Sequence, residues 1–569
     1  MFAMLHEKAD EVLRTQFPGN TIAIQWTVPK ESSFGDASLS LPLQLASLLK
    51  KKPREIAQVF VDALKTFPGV EKVEIAGAGY VNVWLTTEAL LQELGESESA
   101  QSPTKLNKNE KPVIVDYSQP NIAKPLGVHH ILSTVLGQAL CNLHRHAGIP
   151  VVGWNYMGDW GTQFGKLAVA WEKWGDKKKS IETYTLDELL ELYVRFHAEA
   201  EADAALDDAG RAAFRKLEQG DKELRAFWKG VVTVTKASLG DIYERLHVKF
   251  DTDIGESFYE DKMVPILDEG KKKGVFTEGK EGALIVEFPE ESKLPPYLVQ
   301  KGDGATLYAT RDLAQIRYRI DTYQPQSILY VVDVAQQLYF QQLFATAQKL
   351  GWELPEIEHV VFGRMRFAES KMSTRKGTVL KLEHVLDEAV ERAEAVIHEH
   401  RETIQTDDAA ALAEMMGVGA LVYGILSQNR KMDIVFDWDK MLSFDGNSAP
   451  YLQYTYARAR SVLRKAGKET STPSFPKAIA ALTQSERVLI RMLLQFPGVL
   501  EDARESRMPH LLATYLFGLC QDFNAFYNVD PILLAEGSTK ELRIALTAFS
   551  SNVLKTGAEI LTLRVPEKM

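Results

Sequence analysis

From Val113 onward the sequence alternates short apolar runs with helix-forming stretches, and this alternation restricts the fold more than any other feature. Val113-Ile114-Val115, Val151-Val152, Ile328 to Val332 and His359 to Phe362 read as buried strands, with a helix expected over residues 130–144 between the first two. Strands that are apolar on both faces and separated by helices form a parallel, doubly wound sheet with helices on either side. Ligands of such sheets sit at the carboxyl ends of the strands, around the point where strand order reverses. A charged, helix-forming insertion is expected over residues 180–250.

The flanks differ from this α/β core. Pro53 opens a stretch repeating Ile56, Phe60 and Leu64 at helical spacing; Val73 and Ile75 then alternate with charge, Gly77-Ala78-Gly79 turns the chain, and residues 80–85 return as a strand. A polar stretch over 95–111 reads as a linker. After Val379 the pattern is helical, and from Asn447 it reads as a bundle. Its stripes are Val488, Met492 and Phe496, then Leu512, Tyr515, Leu519, Phe523 and Phe526. Four regions are expected: an α+β N-terminal domain (1–100), a Rossmann-like α/β domain (111–378), a helical connection (379–446) and an all-α bundle (447–569). The length of 569 residues suits three or four domains at about 150 residues each.

Composition excludes several classes. The chain carries 66 Lys and Arg against 77 Asp and Glu, a net charge of −11, so a polyanionic partner must meet a local basic face. Cys141 and Cys520 lie far apart, which argues against a disulfide framework or a zinc site, and no resident metal is expected. Glu7, Asp10 and Glu11 break any leader-like start, and no apolar run is expected to approach the roughly 18 residues that span a bilayer. The expectation is a cytoplasmic protein that is not membrane-bound.

Two segments carry chemistry. The loop from Asp116 to His130 lies between a strand and a helix, where the helix N-terminus and imidazole donors can cradle phosphate. Lys371-Met372-Ser373-Thr374-Arg375-Lys376-Gly377 follows the last strand, and three cations, two hydroxyls and a glycine suit a mobile polyphosphate clamp. Tyr308 and Asp312 are one helical turn apart and can face one pocket. Tyr451, Tyr454 and Arg458 share one helix face; aromatic and arginine planes stack unpaired bases.

Together the two segments resemble the signature pair of class I aminoacyl-tRNA synthetases. Further segments are similar to the arginyl-tRNA synthetases: residues 120–125, 155–167, 307–314, 331–340 and 446–458, with Phe34-Gly35-Asp36 and residues 51–57 near the start. The four positions that usually read His-Val-Gly-His in that family read Gly127-Val128-His129-His130 here. The second signature has Thr374-Arg375 after Ser373, and Lys124 stands where a lysine upstream of the histidines takes over in the family.

The resemblance implies an ATP-dependent ligation of L-arginine to its tRNA through arginyl-adenylate, with Mg2+ on the pyrophosphate oxygens. By the same resemblance ATP meets Gly127, His129, His130, Lys371, Met372 and Ser373, and the electrostatic work falls to His130, Lys124, Lys371 and Ser373. Tyr308 and Asp312 would hold the guanidinium with Gln336 nearby. Gln119, Asn121 and His130 would face the rest of the amino acid, and Glu256 and Asp116 are further carboxylate candidates. Tyr451, Tyr454 and Arg458 would meet tRNA, bound by a monomer. The alternatives are a class I synthetase for another amino acid and a non-catalytic tRNA-binding paralogue.

Overall fold

The computed structural model describes residues 2–29, 31–97, 102–304, 307–367, 380–402, 404–469, 474–476, 479 and 481–569. The chain forms two compact units: residues 105–392 with 424–438, and residues 1–104 with 393–423 and 439–569.

The first of these holds the parallel sheet. Its strands are β1 (Val113–Asp116), β2 (Val151–Trp154), β3 (Ser327–Asp333) and β4 (Glu356–Phe362), in the order β4-β3-β1-β2, all parallel. Helices α1 (His130–His146), α2 (Leu186–Ala200), α3 (Tyr308–Tyr323) and α4 (Gln337–Lys349) lie between or beyond them in sequence. Ile114, Ile328, Tyr330 and Val332 pack with Leu313 and Ile316 of α3 and Leu343 and Ala347 of α4. The alternate residues Val113, Val115, Leu329 and Val331 are buried too, which accounts for strands that read as unbroken apolar runs. Strand order reverses between β1 and β3, so a ligand crevice is expected above those two. The insertion is helical: α2, Ala204–Glu218 and Lys222–Arg245. Thr185 and Glu188 close a capping box at the start of α2. A small antiparallel sheet, Thr277–Glu278, Leu284–Val286 and Tyr297–Gln300, precedes α3.

The second unit joins both ends of the chain. Near the N-terminus, Trp26–Thr27, Ala37–Leu39, Tyr80–Leu85 and Val70–Ala76 form an antiparallel sheet backed by helices that include Pro53–Leu64. The later helices include α5 (Ala409–Leu426), of which residues 409–423 belong to this unit, α6 (Ala449–Lys465), α7 (Gln484–Leu494) and α8 (His510–Val529). The expectation that no apolar run approaches membrane-spanning length needs correcting. α5 has 18 residues with Glu414 as its one charge, long and apolar enough by composition alone, and 72% of it is buried inside the fold. The Tyr423 hydroxyl lies 2.7 Å from Asn447 Oδ1 and 2.9 Å from the Ala513 carbonyl oxygen, contacts of a core helix.

Candidate active site and nucleic-acid face

The loop from β1 to α1 is held in an unusual backbone path. Ser118, Gln119 and Ala123 all have positive φ, at 72°, 54° and 63°, a conformation non-glycine residues adopt only when the surroundings enforce it. Those surroundings are visible. The Ser118 N–H donates to Ser133 Oγ at 3.0 Å, and Ser133 Oγ donates to the Val331 carbonyl of β3 at 2.7 Å. The Ala123 N–H donates to Thr235 Oγ1 of the insertion at 3.1 Å. Asn121 bridges Gly158, where a Cβ would stand 2.6 Å from Asn121 Oδ1, so any larger residue there makes the Asn121 side chain turn away. The Val128 N–H donates to Leu380 and the Leu382 N–H to Leu126, at 2.9 and 2.8 Å, so the chain leaving the 371–377 segment is stitched to this loop.

A cleft of about 490 Å³ opens at the carboxyl ends of β3 and β4 beside this loop. Ser118, Gln119, Asn121, His129, His130 and Gln336 line it, with Asp333 and Arg364. The N-terminus of α1 therefore faces the cleft and offers backbone N–H groups and partial positive charge to an anion. His130 Nδ1 lies 3.1 Å from both the N–H and the carbonyl oxygen of Gly127, and the His129 ring stands 4.0 Å from the His130 ring, centre to centre. Burial lowers the His130 pKa to about 4, with the neighbouring His129 contributing, so this imidazole is neutral at ordinary pH. Burial lowers His129 as well, against the opposing pull of Asp333.

Beside the sheet lies a cluster of carboxylates. Asp312 on α3 accepts hydrogen bonds from the Tyr156 hydroxyl at 3.2 Å and from the Tyr339 hydroxyl. Burial raises its pKa to about 6 against the lowering effects of Tyr339 and Arg311. Glu256 stands 3.3 Å from Arg311, and burial raises it to about 8 although Arg311 opposes the shift. Tyr308 is 63% exposed at the start of α3, its ring 5.8 Å from the Arg311 guanidinium. Asp116 ends β1 with both oxygens engaged, one by Gln119 Nε2 at 2.7 Å and the other by Arg319 at 2.5 Å. Lys124 points elsewhere: its Nζ lies 5.1 Å from the centre of the Tyr193 ring on α2.

In the other unit, α6 buries Leu452, Tyr456, Ala459 and Leu463 and turns its opposite face outward. The Arg458 guanidinium lies 4.8 Å from the Tyr454 ring and 5.0 Å from the Tyr527 ring, and it donates to Asn524 Oδ1 at 2.5 Å. Asn524 in turn donates to the Tyr451 hydroxyl at 3.1 Å. Tyr454, Arg458, Arg464, Lys465, Tyr527 and Lys568 line a concave surface of about 1020 Å³. Aromatic faces and cations in a hollow suit unstacked bases and their phosphates.

Residues 92–438 match the family model described as tRNA synthetases class I (R), catalytic domain. Residues 4–85 match the arginyl tRNA synthetase N terminal domain, and 452–569 the DALR anticodon binding domain. The arginine–tRNA ligase of Fusobacterium nucleatum is 38% identical over 554 residues, 97% of each chain. That of Alkaliphilus metalliredigens is 38% identical over 571 residues, covering 99% of each. The chain belongs to the arginyl-tRNA synthetase family. Among solved structures, Thermus thermophilus arginyl-tRNA synthetase superposes with a TM-score of 0.81 at 25% identity, covering all of both chains. The Plasmodium falciparum enzyme gives 0.81 at 24% identity, covering 100% of this chain and 98% of that one, and speaks to the fold.

Against the family signatures, the structure brings Gln119, Asn121, His129, His130 and Gln336 to one cleft. It sets Asp312, Tyr308 and Glu256 around Arg311 nearby. Gly127 lies in the loop behind the histidines, bridged to Lys381. Lys371, Met372 and Ser373 lie outside the described residues. Sequence reasoning missed Tyr156, Tyr339 and Arg311, the groups that touch the two carboxylates. Arg311 adjoins Asp312 in sequence, and Tyr156 and Tyr339 fall inside two family-like segments, so position was the available signal. Nothing in spacing pairs Arg319 with Asp116 across 203 residues.

Proposed function

We propose that this chain ligates L-arginine to its tRNA in two ATP-dependent steps at the cleft above β1 and β3. The arginine carboxylate attacks the α-phosphorus of ATP, giving arginyl-adenylate and pyrophosphate. A terminal ribose hydroxyl of the tRNA then attacks the mixed anhydride and releases AMP. No protein nucleophile is required, so catalysis consists of positioning and of stabilising charge that develops on phosphate. The observation that carries the reading is the near full-length match to arginine–tRNA ligases. It is supported by a helix N-terminus with two histidines opening on a cleft beside a buried carboxylate.

Each group then has a task. Neutral His130, with His129, donates hydrogen bonds to phosphate oxygens, and Gly127 serves the ATP site from behind, its N–H holding His130 Nδ1. Lys371, Met372 and Ser373 meet the triphosphate, and Lys124 swings from Tyr193 to add a cation at the α-phosphate. Asp312 takes the guanidinium, with Tyr308 as its exposed aromatic cover, Gln336 at its side and Glu256 as the second anion. Asn121 and Gln119 meet the amino and carboxylate end, Gln119 being steadied by Asp116. Among the described cleft residues Asp333 is the carboxylate that would help hold a magnesium ion brought in on ATP, which would supply charge neutralisation at the phosphate oxygens. Tyr451, Tyr454 and Arg458 receive unpaired tRNA bases. The enzyme acts as a cytoplasmic monomer that needs no membrane.

Amino-acid-dependent pyrophosphate exchange with tRNA present, run over the standard amino acids, tests the proposal. Exchange with arginine alone is expected. Exchange with another amino acid identifies a different synthetase, and none at all, with tRNA still bound, identifies a non-catalytic paralogue.

A further inference from the structure

Asp312 is a carboxylate on a helix, yet the two hydrogen bonds the structure gives it come from phenols on other elements. Tyr156 follows β2 and reaches Oδ1 at 3.2 Å; Tyr339 is on α4 and reaches Oδ2. Packing fixes both rings edge-on: Tyr156 against Tyr259 at 6.1 Å, and Tyr339 against Tyr297 at 5.8 Å. An ionised carboxylate accepts at about four lone-pair positions. One phenol on each oxygen leaves one position free on each, and the carboxylate plane no longer turns.

We propose that Tyr156 and Tyr339 are positioning residues for the amino-acid substrate, holding Asp312 in the plane that meets a guanidinium by two parallel hydrogen bonds. The inference rests on the arginine-charging reading and deepens it. A planar fork needs two coplanar acceptors, whereas a lysine ammonium is a point charge indifferent to their plane. A fixed plane therefore raises selectivity for arginine over lysine as well as affinity. The hydroxyls also keep Asp312 ionised, since a hydrogen bond donated to the charged form favours that form. Around it, Arg311 on the same helix lowers its pKa, Asp116 from β1 raises it, and Glu256 and Tyr297 face it from neighbouring elements. Tyr308 faces it from its own helix.

The test uses Tyr339→Phe and Tyr156→Phe in the full chain, with tRNA charging measured against arginine, lysine and ATP between about pH 5.5 and 8.5. Each lost bond to a charged group corresponds to a rise in arginine KM of about 10- to 100-fold. ATP KM and kcat at saturating arginine stay near parental values, and discrimination against lysine narrows. The acid limb of kcat/KM for arginine moves to higher pH, because Asp312 without its donor takes up a proton more readily. An unchanged arginine KM overturns the proposal. So does an equal loss in arginine and ATP parameters with an unmoved acid limb, the pattern of a merely structural tyrosine. If Tyr339→Phe loses its fold, seen as a lost circular-dichroism transition, Tyr156→Phe carries the same expectations. A parental chain that charges no arginine overturns the underlying reading with it, whereas a parent that charges arginine and variants that bind it equally well overturn only this inference.

Discussion

Asp312, which burial raises to about 6, and His130, which burial lowers to about 4, divide the chemistry of the site between the carboxylate cluster and the cleft. Arginine stays cationic throughout, so it favours ionised Asp312 and releases the proton of any protonated fraction on binding. Arginine affinity should accordingly fall as pH drops through about 6, while His130, already neutral there, contributes no change. Asp312→Asn leaves a guanidinium facing a neutral amide, which costs about 2–5 kcal/mol of binding. Arginine KM should rise steeply and ATP KM should not; equal arginine KM in mutant and parent would place the guanidinium elsewhere. Lys124 makes a second case. Its ammonium rests over Tyr193, away from the residues that line the cleft. If it swings to the α-phosphate during turnover, Lys124→Ala lowers kcat by about two to three powers of ten, the scale of one lost transition-state donor, with tRNA affinity kept. Near-parental kcat would show that its place is on α2.

At the scale of elements, β1 and β3 were legible because both faces are buried and the run is apolar, whereas β4 starts three residues earlier than its apolar end, with Glu356 exposed and Glu358 half-buried. The helix at His130 was legible from its apolar spacing, although it extends to His146. Of the stripe Val488, Met492 and Phe496, Phe496 just beyond α7 is buried as expected, whereas within α7 the buried face lies one position on. Leu489 and Leu493 are fully buried while Val488 and Met492 are half-buried. The reason is that Glu486 and Arg491 also point inward, Glu486 pairing with Arg543 at 2.7 Å and Arg491 donating to the Pro29 carbonyl at 2.5 Å. Paired charges in a core mimic surface positions in any apolar count. The site divides the same way: loop residues at the sheet edge follow from topology, whereas Arg319 against Asp116 depends on a tertiary meeting that no local pattern encodes. The bridge between Asn121 and Gly158 shows what a loop demands of its neighbour. Gly158→Ala would push a methyl against Asn121 Oδ1, now 2.6 Å from the position of that Cβ, and turn the Asn121 amide out of its place at the cleft. Displacement of this size costs about a hundredfold when it misaligns reacting groups. We expect kcat/KM for arginine to fall between about tenfold and hundredfold while the melting temperature changes little. Unchanged kinetics would mean that the loop adapts freely.

At the scale of the molecule, one compact unit is assembled from the two ends of the chain, and a buried ion pair ties them. Asp36, just before the strand Ala37–Leu39, is 1% exposed. It accepts from the Leu85 N–H at 2.8 Å and, as a fork, from Arg487 Nε at 3.1 Å and Nη2 at 2.5 Å on α7. Arg487 Nη2 also donates to the Leu85 carbonyl at 2.8 Å. The sequence singled out Phe34-Gly35-Asp36 by resemblance but gave it no partner, since 451 residues separate Asp36 from Arg487. A cut at Asn447 would therefore remove the guanidinium that neutralises Asp36 along with the tRNA-facing helix, and would test two things at once. Asp36→Ala isolates the tie. Breaking a buried pair from one side costs about 3–5 kcal/mol, and the partial exposure of Arg487, 22% for its side chain, sets the expectation at the lower end. The cost should fall on the N-terminal sheet, whose Leu85 N–H loses its acceptor while Arg487 keeps only the Leu85 carbonyl and a 4.0 Å approach to Glu71. Limited trypsin digestion should then cut first within residues 2–85, and arginine-dependent pyrophosphate exchange should keep its parental arginine KM, because the cleft belongs to the other unit. A variant as resistant to trypsin as the parent would show that apolar packing alone holds the two ends together.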